Sequence, residues 1–169
     1  MTNTDESAQS LPTPADDQLG DQDWQPTIGP DDWDVREAVD SYVTSMLWAN
    51  ACCDVESCTD GREIGDCEHT DGVEYDYDLS DFSADDQTSI VADVYAMIAG
   101  SAESERDFLA YCQKRSASDF GHDFALTRNG HGAGFWDRGL GALGDRLSDA
   151  AKVYGESSAY VDEDGVTLS

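Results

Sequence analysis

The stretch Thr127–Gly139, TRNGHGAGFWDRG, concentrates the groups that most readily bind an anion. Six of the chain's 15 glycines lie between positions 130 and 144. The whole chain has only nine Lys and Arg residues, and two of them, Arg128 and Arg138, lie in this stretch. The backbone N–H groups of a glycine-rich loop, together with arginine guanidinium groups, hold phosphates and carboxylates, and a histidine at the tip can bind or transfer a proton. The predicted site for a ligand or partner comprises Arg128, Asn129, His131, Asp137 and Arg138.

The same stretch also has a purely structural interpretation. Its glycines allow a tight turn with positive φ, and Phe135 and Trp136 fill the core. The two arginines then pair with the nearby carboxylates of Asp123 and Asp137. We interpret the two aromatic residues as core residues, whereas for the histidine and the arginines both interpretations stay open.

A second cluster of reactive side chains lies between residues 52 and 69, in CCDVESCTDGREIGDCEH. Zinc prefers four thiolate or imidazole ligands in a tetrahedron, and a metal would hold a polar loop that has no apolar core. The predicted ligands of a structural zinc ion are Cys53, Cys58, Cys67 and His69. The alternative is free thiols or one disulfide, because the spacing is less regular than in a paired CxxC motif. A catalytic zinc is not expected, since no general acid is obviously paired with the cluster.

The charge of the chain narrows the classes of partner. Asp and Glu number 37 against 9 Lys and Arg, which gives a formal net charge of -28. A dense carboxylate surface suits a cytoplasm of very high salt concentration, and it also imitates the phosphate backbone of a nucleic acid. The acids are spread along the whole chain rather than placed in one block, which favours halophilic adaptation over mimicry. Direct binding to nucleic acid is not expected.

The chain shows no sign of export or membrane insertion. Its first residues lack the basic start and apolar core of a signal peptide, and no apolar run is long enough to cross a bilayer. We therefore expect a soluble intracellular protein, in a compartment where thiols stay reduced.

The periodicity of apolar residues predicts several helices. Residues 1–29 are polar and acidic and are expected to form a disordered tail. A helix is predicted from Asp31, a second after the cap Ser83, a third from Ala102 to Arg115 after a break at Gly100, and a fourth in LGALGDRLSDAAKVY. A Cys-rich loop, at about residues 52–80, separates the first two helices.

The last third of the chain carries patterns typical of strands. Residues 122–129, HDFALTRN, alternate with period two, and a glycine-rich turn leads into FWDRG, which is the signature of a hairpin. SSAYVDEDGVTLS predicts a second hairpin that turns at Asp164-Gly165. The predicted fold is a single α+β domain over residues 30–169, with two or three helices packed on a small antiparallel sheet made of hairpins.

The motif GHDFALTRNGHGAGFWDRG, followed by LGDRLSDAAKVYGESSAYVDEDG, resembles a small uncharacterised protein family of tailed viruses of bacteria and archaea. The segment SYVTSMLWA resembles the N-terminal helix of that family, and the likeness covers roughly Ala38 to Leu168 with gaps. The resemblance implies a viral accessory protein in the cytoplasm of an infected host cell, and it carries no catalytic roles. The sequence departs from the family at Ala125, where a Trp is usual, and in the Cys-rich loop, which resembles an insertion.

Two classes of function follow. In the first, a viral protein without catalytic activity binds a host protein, such as a nucleic-acid enzyme, through an acidic surface that imitates DNA and thereby counters host defence. In the second, a small ligand-binding protein or enzyme uses the arginine–histidine loop for an anionic substrate. A serine hydrolase is excluded, because Ala159 stands where a nucleophile elbow needs glycine and because no histidine follows His131.

Overall fold

The computed structural model describes residues 24–50, 77–162 and 165–168, and in this part of the chain helices dominate. The elements are α1 (Trp33–Asn50), α2 (Ala84–Ala99), α3 (Ala102–Cys112), α4 (Ala117–Arg128), α5 (Ala142–Lys152), β1 (Ala159–Asp162) and β2 (Gly165–Leu168), with short 3₁₀ turns at Leu79–Asp81 and Phe135–Asp137. No helix within the described residues is long and apolar enough to cross a membrane.

Four helices arise where apolar periodicity and caps predict them, and these predictions are confirmed. The hydroxyl of Ser83 accepts a hydrogen bond from the Asp86 N–H at the start of α2, and Ser101 does the same for Ser104 at the start of α3. These bonds satisfy backbone donors that have no partner within the helix. The break at Gly100 separates α2 from α3 and lets the two helices pack against each other.

The predicted α+β fold is wrong, because residues 122–128 belong to helix α4 rather than to a strand of a hairpin. A capping box begins the helix: the Ser116 hydroxyl accepts from the Asp119 N–H, and the Asp119 carboxylate accepts from the Ser116 N–H. Phe120, Phe124 and Thr127 then recur at spacings of four and three and are all buried. This helical periodicity prevails over the period-two alternation, since it places both aromatic rings in the core.

The second predicted hairpin is present, at the C-terminal end of the described chain. Strands β1 and β2 pair antiparallel, with Ala159 opposite Leu168 and Asp162 opposite Gly165. Gly165 therefore belongs to the second strand rather than to the turn. Strand β1 contacts α1, and the two-stranded sheet does not form a layer on which the helices rest.

The core is built around the close approach of α1 and α4. A Cβ added to Gly121 would lie 1.9 Å from the carbonyl oxygen of Ala38, so only glycine permits this distance between the two backbones. Beside that contact, four buried rings meet edge-to-face or tilted, with centroids 4.9 to 5.7 Å apart. They belong to Phe108, Tyr111, Phe120 and Phe135.

The segment before α1 docks on α3 through one buried carboxylate. Glu105 accepts hydrogen bonds from the backbone N–H groups of Thr27, at 2.8 Å, and Ile28, at 3.0 Å, and from the Thr27 hydroxyl. These bonds, led by the one from the Thr27 hydroxyl, lower the pKa of Glu105. Residues 24–28 of the predicted acidic tail thus hold defined contacts, while residues 1–23 lie outside the described part.

Candidate functional site

The glycine-rich stretch forms a compact turn that reverses the chain after α4. Gly130 and Gly132 adopt φ of 66° and 49°, a conformation that side chains with a Cβ rarely adopt. The His131 N–H donates to the Leu126 carbonyl at 2.9 Å, and the Phe135 N–H donates to the Thr127 hydroxyl at 3.0 Å. The helix end and the 3₁₀ turn are thereby tied together. Glycine supplies the positive φ that the sequence predicts, but the turn follows a helix and not a strand.

Arg128, at the end of α4, directs its guanidinium group inward. The Nη1 atom donates to the Asp93 carboxylate at 2.7 Å and to the Tyr42 hydroxyl at 2.8 Å. Nε and Nη2 donate to the carbonyls of Gly155 and Tyr154, at 2.6 and 3.1 Å. Only 10% of the Arg128 side chain is exposed. Its donors are therefore used to join α1, α2 and the segment after α5, rather than offered to a ligand.

Arg138 is held in the same way by a buried carboxylate on α4. Its Nε lies 2.8 and 3.0 Å from the two carboxylate oxygens of Asp123, and its Nη2 lies 2.5 Å from Oδ1. The Tyr111 hydroxyl donates to Asp123 Oδ2 at 2.7 Å, and His122 Nδ1 lies 3.1 Å from Oδ1. Asp123 is fully buried, and this set of partners compensates its charge.

The structural interpretation of the two arginines thus has the stronger geometric support. The pairing of Arg138 with Asp123 agrees with it, whereas Arg128 pairs with Asp93, which is 35 residues away in sequence. Asn129 also serves the fold, since its amide oxygen accepts from the Ser157 N–H at 2.8 Å. Arg128 and Arg138 pair with different carboxylates, Asp93 on α2 and Asp123 on α4, and neither arginine lines the two cavities noted below among the described residues.

The remaining residues of the predicted site lie at the surface. His131 is half-buried and Asp137 is exposed. Phe135 is fully buried, as predicted, but 46% of Trp136 is exposed, so the expectation that both aromatic residues fill the core is wrong for Trp136. In the 3₁₀ turn, the side chain of Phe135 thus points into the core while that of the next residue, Trp136, is half exposed.

Burial and charge shift the titration of the groups that surround Asp123. The pKa of Tyr111 is raised well above its usual value by burial and by the nearby carboxylate of Asp123. Tyr111 therefore stays protonated and donates its hydrogen bond at any physiological pH. A second buried carboxylate, Asp107, has a lowered pKa because Arg146 donates two hydrogen bonds to it, at 2.8 and 2.9 Å.

Two cavities of the described residues lie away from the glycine-rich turn. One, of about 270 Å³, lies between α2, α3 and α5 and includes Glu103, Asp107 and Asp149. The other, of about 380 Å³, lies beside α1 and includes Asp40 and Asp78. Carboxylates line both cavities, and neither includes a residue of the predicted ligand site.

The predicted zinc ligands Cys53, Cys58, Cys67 and His69 lie outside the described residues. Within the described ranges, no group of three or more His, Cys, Asp or Glu residues is arranged to hold a metal. Cys112, a free cysteine on α3, is half-buried, and burial raises the pKa of its thiol to about 11.

The metal prediction has a direct test. We expect about one zinc ion per chain, bound by the four Cys and His residues named above, because four such ligands saturate a tetrahedral structural site. Mass spectrometry under native conditions, on protein purified without chelator, should show this mass increment. The increment should disappear when Cys58 and Cys67 are both replaced by Ser, and should persist when Cys112 is replaced. A mass equal to that of the bare chain would contradict the prediction.

Comparisons with known proteins add no relative: no family model, curated protein or solved structure matches this chain.

Proposed function

We propose that this chain is a viral accessory protein without catalytic activity, which acts in the cytoplasm of an infected host cell by binding a host protein. The partner is a protein with a cationic surface, of the kind that nucleic-acid enzymes use to bind phosphates. One observation carries the proposal: seven of the eight Lys and Arg side chains in the described residues, all but Lys114, are paired with the protein's own carboxylates, while many other carboxylates face solvent.

The pairing of the cations is extensive. Seven of the chain's nine Lys and Arg residues lie 2.5 to 3.6 Å from a carboxylate oxygen. They are Arg36, Arg106, Arg115, Arg128, Arg138, Arg146 and Lys152. The pairing is closest for Arg128 and Arg138, whose side chains are 10% and 20% exposed, so these two arginines offer little attraction to a phosphate or another anion. The pairs of Arg36, Arg106 and Lys152 lie at the surface and are weaker.

The exposed carboxylates are distributed over several elements. They include Asp32, Asp34, Asp40, Asp78, Asp81, Asp85, Asp137, Asp145 and Glu156. A field of this sign accelerates association with basic surfaces and repels nucleic acids. This arrangement supports the proposal that the surface imitates a nucleic acid backbone, and such mimicry would make the protein an inhibitor of host defence enzymes.

The alternative is an anion-binding site or enzyme that uses the arginine–histidine turn. It has less support, because the guanidinium donors of Arg128 and Arg138 are already occupied by internal acceptors. Among the predicted site residues, that leaves His131 and Asp137 accessible, which is a poor set for an anionic substrate.

Affinity capture from host lysate, with and without excess duplex DNA, tests the proposal. We expect a captured nucleic-acid-binding protein that DNA displaces, because both ligands occupy the same cationic surface. That captured protein should lose its nucleic-acid activity when the acidic protein is added. The matched variant replaces Asp40, Asp137 and Asp145 by Asn, which removes exposed charge and leaves the buried ion pairs intact.

Two outcomes would contradict the proposal. In the first, the capture of every partner is insensitive to DNA and to the Asn substitutions. In the second, nothing is captured, while a small anionic metabolite protects the protein against thermal unfolding. The second result would instead support the alternative function, in which the arginine–histidine turn binds an anionic ligand.

A further inference from the structure

The fold does not explain the positions of two neighbouring side chains on the outward side of the glycine-rich turn, Trp136 and Asp137. Thr127 and Phe135 close the turn, and Arg138 pairs with buried Asp123. Trp136 and Asp137 instead face solvent, with 46% of the tryptophan exposed. The indole ring is therefore partly packed on the turn and partly open to solvent.

One edge of the Trp136 ring lies close to the turn. A Cβ added to Gly134 would lie 2.6 Å from Trp136 Cζ3 and 2.2 Å from the Thr127 hydroxyl oxygen, so the ring lies against the glycine backbone. The Asp137 N–H donates to the Gly134 carbonyl at 3.0 Å, which fixes the backbone of the same turn. An aromatic side chain that is ordered before binding loses little conformational entropy when a partner docks on it.

The charge around this ring is negative. Helix α5 begins beside the 3₁₀ turn, since Gly144 approaches the Phe135 carbonyl so closely that an added Cβ would lie 2.8 Å from it. Asp145, in the first turn of that helix, is exposed, as is Asp137. The nearby guanidinium groups of Arg138 and Arg146 are each paired with a buried carboxylate. Asp137 and Asp145 therefore lie on the same two packed elements as Trp136, and among the described residues neither acid has a cationic partner within 4.0 Å.

We propose that Trp136 and Asp137 form a binding site for the guanidinium group of an arginine on the partner protein. The indole face attracts the cation through its quadrupole, and the carboxylate accepts hydrogen bonds from the guanidinium N–H groups. This inference rests on the proposed function, because it names the point at which the acidic protein contacts its cationic partner.

A short-range contact of this kind matters for a protein adapted to high salt. At about 1 M salt the Debye length is about 3 Å, so diffuse attraction between an acidic surface and a basic one is largely screened. A cation that contacts the ring directly is screened much less, because no electrolyte lies between the two groups. Trp136 thus supplies specificity under conditions in which charge alone does not.

The test uses the full-length protein labelled with fluorotryptophan, titrated with a hexa-arginine peptide at about 1 M KCl and followed by fluorine NMR. We expect the Trp136 signal, assigned by its loss in Trp136→Phe, to shift with saturation. The signals of Trp33 and Trp48, which are 72% and 70% exposed on α1, provide internal controls and should stay in place. Trp136→Ala and Asp137→Asn should each weaken binding about threefold to fivefold. Gln113→Ala, at an exposed and uncharged site at the end of α3, should not.

The outcomes separate this inference from the proposed function. Equal shifts of all exposed tryptophans, or no shift at all, overturn the Trp136 site. If DNA-sensitive capture of a host protein nevertheless survives, the proposed function stands without it. A hexa-lysine peptide that binds as tightly as hexa-arginine, with the same dependence on Trp136, overturns the guanidinium preference. If Trp136 shifts as expected but no captured protein is displaced by DNA, the arginine site stands and the proposed function fails.

Discussion

Replacing Asp123 by alanine is expected to lower the free energy of unfolding by about 3–5 kcal/mol, because it leaves the charge of Arg138 without its buried partner. The carboxylate is fully buried and accepts hydrogen bonds from Arg138 and from the Tyr111 hydroxyl. Its removal therefore leaves the Tyr111 hydroxyl and the Arg138 guanidinium group without their acceptor, and leaves the charge of Arg138 without a counter-charge. Urea denaturation at high salt, followed by far-ultraviolet circular dichroism, measures the change.

Two further variants isolate the cause of this loss. Asp123→Asn keeps an acceptor for Tyr111 but removes the charge, so it should destabilise the protein less than alanine does. Adding Arg138→Met to Asp123→Ala should recover part of the loss, since the uncompensated cation is then gone. If the double variant is as unstable as the sum of its parts, the ion pair does not hold the turn against α4, and the central role of Asp123 is wrong.

The helices were predictable because their signals are local. In α1, Val35, Ala38, Tyr42 and Met46 recur at helical spacing and are all buried, and Ser83 caps α2 as its position indicates. Apolar spacing and a side-chain acceptor at the first turn suffice to define such elements.

Helix α4 was not recognised because two periodicities coincide there. Phe124, Leu126 and Arg128 alternate with polar or small residues, which is typical of a strand. The deciding signal lies upstream, where Ser116 and Asp119 form a capping box before the alternation begins. Read from that cap, the aromatic residues fall on one face of a helix.

The candidate site was predictable only where partners are close in sequence. Asp123 and Arg138 are 15 residues apart on either side of one turn, and their pairing agrees with the structural interpretation. No local pattern indicates that Asp93, on another helix, accepts from Arg128. The exposure of Trp136 was missed because two adjacent aromatic residues were both assigned to the core, whereas the turn buries Phe135 and leaves 46% of Trp136 exposed.

The acidity of the chain predicts a second large effect, which is the loss of helical structure at low salt concentration. Lowering the KCl concentration from molar to about 0.01 M lengthens the Debye length from about 3 Å to about 30 Å. With a formal net charge of -28, the exposed carboxylates then repel one another across much of the molecule. We expect the helical signal in far-ultraviolet circular dichroism to be lost progressively as the salt is diluted, and to return when it is restored.

A charge variant distinguishes repulsion from other effects of salt. Asp40→Lys places a cation among the exposed acids of α1 and replaces a side chain that packs little. It should retain its helical signal at a lower salt concentration than the parent protein, whereas the isosteric but uncharged Asp40→Asn should lie between the two. Sucrose, which strengthens burial without screening charge, should restore less structure than KCl does. A parent spectrum that is unchanged at low salt would contradict halophilic adaptation. Mimicry of a nucleic acid would then remain as the explanation for the many carboxylates. A protein that stays folded at low salt does not depend on counterions to offset its negative charge, so adaptation to high salt would not explain that charge.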